Sequence, residues 1–93
     1  MATGTVTLDF GSTPAMEATV LVSGLSGLSV ATHKEAFAQG DDSTGDNDAN
    51  AHMRLRAMGQ FDCEYVSATS MRVNCNLIRD MATGQFTVHY VTA

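Results

Sequence analysis

The feature that most constrains this chain is a hydrophobic rhythm of two, carried in short runs. Val6, Leu8 and Phe10 alternate with Thr5, Thr7 and Asp9, and Met71, Val73, Cys75 and Leu77 alternate with Arg72, Asn74, Asn76 and Ile78. Successive side chains of a strand point to opposite faces, so such a run buries one face and wets the other, whereas a helix needs a period of 3.6. The same reading gives strands over residues 17–22, with Ala18, Val20 and Val22 on one face, and over 60–67 and 85–91. Residues 30–39 read as extended, with His33, Glu35 and Phe37 on one face, although the alanine-rich part from His33 onward has helix propensity as well.

Turn chemistry separates these runs. Gly11-Ser12-Thr13-Pro14 breaks the first pair, and LVSGLSGLSV over residues 21–30 is a Gly/Ser-interrupted stretch whose Leu25 and Leu28 can pack inward. Residues 40–48, GDDSTGDND, contain no apolar side chain and read as a surface loop. After them a short helix is expected near residues 46–56, its core at 46–54, with acidic residues first, Arg54 and Arg56 last, and Ser43, Thr44 or Asp46 as N-cap. The last three strands look like a meander. GQFDCEYV at 59–66 is echoed 25 positions later by GQFTVHYV, identical at five of eight places, which suggests two strands in similar sheet environments.

These elements predict a mainly β fold in one domain spanning 1–93: a small β-sandwich or barrel-like antiparallel sheet with one short helix near residues 46–56. A chain of 93 residues buries only roughly 60 per cent of its unfolded surface, so its core is thin and needs support from disulfides, metal or oligomerisation. Two cysteines, Cys63 and Cys75, are too few for a disulfide framework, and free buried thiols are the expected state. Oligomerisation is the remaining remedy, and the terminal strands, 3–10 and 85–91, can pair within the domain or across subunits.

The charge balance narrows function. Ten carboxylates against five basic residues give a net charge of −5, which repels phosphate backbones, so no nucleic-acid partner is expected. No run approaches the roughly 20 apolar residues that span a bilayer, and Met1-Ala2-Thr3-Gly4 has no signal-peptide character; synthesis in the cytoplasm and no membrane partner are expected. The cluster Asp41, Asp42, Asp46 and Asp48 offers oxygens to calcium but lacks the EF-hand spacing and its bidentate Glu. Cys63 and Cys75 with His33, His52 or His89 do not match a zinc motif. Cysteine, serine, histidine and acid occur without catalytic spacing, so no enzyme, cofactor or metal is expected. The residues singled out for interaction are therefore surface ones: the four aspartates, His33 and Glu35 on one strand face, and Arg54 and Arg56 at the helix end.

Four segments taken together, TLDFGSTP at 7–14, Glu35-Ala36-Phe37, DNDANAH at 46–52 and GQFTVHYVTA at 84–93, resemble the short β-rich proteins encoded among the virion structural genes of tailed bacteriophages. The resemblance covers most of the chain and carries no catalytic residue. It implies a virion location and a protein that decorates or completes the particle. A capsid decoration or cement protein, bound to the major capsid protein or other virion proteins as a homo-oligomer with a trimer favoured, is the first form this takes. A tail or fibre-tip module that recognises a host surface is the second.

Overall fold

The computed structural model describes residues 2–40, 47–78 and 81–93. Among the described residues, six strands and one helix follow in order: β1 (Ala2–Asp9), β2 (Glu17–Val22), β3 (Lys34–Phe37), α1 (Ala49–Met58), β4 (Gly59–Ser67), β5 (Ser70–Leu77) and β6 (Gln85–Thr92). They form two antiparallel three-stranded sheets, ordered β1-β6-β3 and β2-β5-β4. The expected mainly β architecture with one short helix is what the chain adopts.

The period-two pattern sets the inner faces. Leu8, Phe10, Phe86 and Val88 from one sheet meet Ala18, Val22, Met71, Val73, Cys75 and Leu77 from the other in a single buried cluster. The middle strand β5 contributes Met71, Val73 and Cys75 at zero exposure, while its alternate residue Arg72 lies on the outer face and pairs with Glu64 of β4 at 3.0 Å. Beyond the ladders, β1 runs close to β2 and β3 close to β4, so the sandwich is drawn in at both sides like a flattened barrel. Leu25 and Leu28 close one end from the loop: their N–H groups donate to Thr69 and Ala68 carbonyls at 3.0 Å each, and both side chains are buried.

Three expectations need correction. The last three strands are not a meander: β4 and β5 form a hairpin, but β6 crosses to the other sheet, where it pairs with β1 from Ala2↔Thr92 to Asp9↔Gln85. The crossing is held by the Ala15↔Ala82 bridge between the two connecting segments. The echoed strands accordingly differ in setting, β4 lying at an edge and β6 at a sheet centre. The pairing of the two terminal strands is with each other.

The helix also starts later than its sequence suggests. Its N-cap is Asp48, whose side chain accepts from Ala51 N–H at 2.8 Å. The capping candidates Ser43, Thr44 and Asp46 lie outside the described residues. Asn47 is held out of the helix because its Nδ2 donates to the carbonyls of Thr83 (3.1 Å) and Gln85 (2.9 Å). No acidic residue occupies the first turn, and Arg56 alone is basic in the last. At the other end α1 runs straight into β4 through Gly59, whose N–H bonds back to Leu55 O. A Cβ there would lie 2.7 Å from that same carbonyl oxygen and 3.0 Å from Cys75 Sγ, so a side chain at the joint forces its neighbours to shift. Gly59→Ala is expected to lower the unfolding free energy by about 1–3 kcal/mol through this overpacking, measured by equilibrium urea unfolding.

Candidate interaction surfaces

Strand β3 is four residues long and reaches only Phe37, opposite His89, so the start of β6 has β1 on one side and no strand on the other. The segment that leads into and forms α1 fills the gap with side chains. Asn47 supplies a donor to Gln85 O, and His52 Nε2 accepts the N–H of Thr87 at 2.8 Å. The His52 ring is fully buried, its Nδ1 lies 2.9 Å from Asp48 O, and its edge meets Phe86, with centroids 5.1 Å apart. Phe86 in turn meets Phe10 edge-to-face at 5.6 Å. This buried histidine, which stands in the sequence only as one of three candidate zinc ligands, positions the helix on the sheet.

Between α1 and the adjacent end of the sandwich lies a groove of about 200 Å3. Ala51, Leu55 and Met58 line it from the helix and Leu77, Met81 and Phe86 from the opposite side, with Asn47, Arg54 and Thr83 adding polar groups, so its lining is mixed. Large apolar side chains continue outward from it: Met81 is 57% and Ile78 68% exposed, and Met16, whose carbonyl accepts from Leu77 N–H, is also exposed. Ile78 belongs to the same end, its N–H donating to Met58 O at 3.3 Å. Met16, Ile78 and Met81 thus leave apolar area exposed at this end, as Leu21, Val30, Met53, Tyr65 and Val66 do elsewhere on the molecule.

A second, larger cleft of about 410 Å3 separates β3 from β4 and is mixed in character, with Lys34, Glu35, Asp62 and Cys63 beside Phe37 and Phe61. Lys34 spans the seam: its Nζ donates to the carbonyls of Ser29 and Thr32 and stands 6.0 Å from the Tyr65 ring centroid. Burial pushes the Cys63 thiol up, Lys34 opposes this, and Asp62 and Glu35 add to it. Cys75, in the core, is pushed up to about 11 by burial. Cys75 sits opposite Phe61 and Cys63 opposite Val73, so the thiols are diagonal neighbours, and both are free.

The surface residues expected to interact meet different fates. His33 Nε2 and Glu35 Oε1 lie 3.0 Å apart, both well exposed, on the outer side of the β3 segment. Asp48 is a helix cap. Arg54 lines the apolar groove, while Arg56 is an exposed residue of the last helical turn. Asp41, Asp42 and Asp46 lie outside the described residues, and the calcium question goes with them. Among the described residues no group of three or more His, Cys, Asp or Glu gathers as metal ligands would, and no helix is long and apolar enough to cross a membrane.

The thiols give a direct check on this geometry. Both should react with a thiol reagent more slowly at pH 8 than a free cysteine does, because a raised pKa lowers the thiolate fraction. Cys63, half-exposed in the cleft, should label first, and Cys75 only as the protein unfolds; mass-spectrometric timing of labelling distinguishes the two. Separately, Glu35→Ala should change stability by less than about 0.5 kcal/mol in urea unfolding, since an exposed pair contributes little.

Compared with family models, characterised proteins and solved structures, the chain matches none.

Proposed function

We propose that this protein is a non-enzymatic structural component that adheres to other proteins in an assembly. The assembly suggested by the sequence resemblance is a tailed-phage virion, with the chain acting as a capsid decoration or cement protein against the major capsid protein. The observation that carries the adhesive reading is the apolar end of the sandwich. Met16, Ile78 and Met81 stand exposed around a groove floored by Leu55, Leu77 and Phe86. A domain with so thin a core gains by burying such a surface in an interface, and binding to the folded form alone stabilises it by mass action. Self-association into a trimer would offer the same gain.

The test is binding to assembled shells. Purified particles should carry the chain in many copies, visible as a strong band near 9.8 kDa on a gel. Ile78→Glu combined with Met81→Glu should abolish co-sedimentation with shells lacking the protein. The same double variant should keep its unfolding free energy within about 1 kcal/mol, because each position is an exposed one. Particles without the chain, or a double variant that sediments with shells like the unmutated protein, would sink the reading.

A further inference from the structure

We propose that His52 is an acid-sensitive latch, which holds α1 against β6 at neutral pH and releases it when the ring takes up a proton. The inference is independent of any assembly role. It rests on the partners of the two ring nitrogens. Asp48 O, 2.9 Å from Nδ1, can only accept, and Thr87 N–H, 2.8 Å from Nε2, can only donate. One arrangement satisfies both: the proton on Nδ1 and a lone pair on Nε2. A second proton would have to sit on Nε2, facing the Thr87 N–H. Two donors would then oppose each other at 2.8 Å, and a charge would stand inside a fully buried ring.

Among the described residues, the contacts of the ring include no carboxylate group that would pair with that charge. On its own helix the Asp48 carboxylate is turned to Ala51 N–H, and Arg54 and Arg56 follow along α1. From β6 the ring meets Phe86 and the Thr87 main chain, and His89, two residues further, is stacked with Phe37 at 5.6 Å. Asp41, Asp42 and Asp46 precede the helix in sequence, outside the described residues. Relief therefore comes by the ring leaving Thr87. Because Asn47 and Asp48 adjoin the same turn, the N-terminal part of α1 loosens with it, and the groove between Leu55 and Phe86 widens. The sign follows from the geometry: the latch holds while the ring is neutral and is lost, with falling pH, once the ring takes up a proton.

Nuclear magnetic resonance on the full chain, titrated from about pH 8 to about pH 5, tests this. The imidazole 15N signals of His52 should show the Nδ1-protonated form at neutral pH and a charged ring on acidification. In step with that change, hydrogen-exchange protection of the Thr87 amide should fall at least about tenfold relative to Val88 on the same strand. In His52→Gln, whose amide oxygen can accept from Thr87 without titrating, the ratio should stay constant. An Nε2-protonated ring at neutral pH, a ring that stays neutral to about pH 5, or a constant ratio while the ring charges each overturns the latch. So does a fall in the ratio that persists in His52→Gln. If that variant does not fold, the unmutated chain decides alone: a fall that tracks the ring supports the latch, and a flat ratio overturns it.

Discussion

The hydrogen-bonding demand of β6 governs how the remainder of the molecule is arranged. A buried peptide group left without a partner costs about 1–3 kcal/mol, so both flanks of a central strand must be met. β1 meets one flank over eight residues; β3 meets the other over four and then ends. Asn47 and His52 complete what β3 leaves open. That requirement keeps Asn47 out of the helix, sets Asp48 as the cap, and brings a fully buried imidazole against Phe86. A helix with few buried residues, His52 and Leu55, is thereby fastened by specific polar bonds as much as by apolar area.

The same arrangement explains where apolar surface is left over. The two sheets bury small and medium side chains between them, with Phe10 and Phe86 as the large members of the cluster. Helix α1 covers one end of the sandwich but leaves a groove along its flank, and the connections that carry the chain between sheets display Met16, Ile78 and Met81 there. At the opposite end Leu25 and Leu28 fold in and close the core. Exposed apolar side chains are not confined to the groove end, since Leu21, Val30, Tyr65 and Val66 are exposed as well.

The polar seam between β3 and β4 holds a thiol pushed up by burial, which makes it a weak nucleophile at neutral pH. The exposed His33–Glu35 pair stands outside either cleft lining except through Glu35.

Alternation by itself determined most of the strands and their inner faces: Leu8, Ala18, Val22, Val73 and Cys75 point inward because a period of two admits no other half-buried arrangement. The reading of 40–48 as a surface loop rests on composition, and most of that run lies outside the described residues. Tertiary structure alone decided the partners. The path of β6 from the β4–β5 hairpin to β1 depends on long-range pairing and the Ala15↔Ala82 bridge, which no local pattern encodes. The role of His52 was equally illegible, because its chemistry comes from a peptide N–H 35 residues away. Period and turn residues are properties of neighbours along the chain, whereas which strand sits beside which, and what must fill the place where one ends, are settled only when every buried backbone group has found a partner.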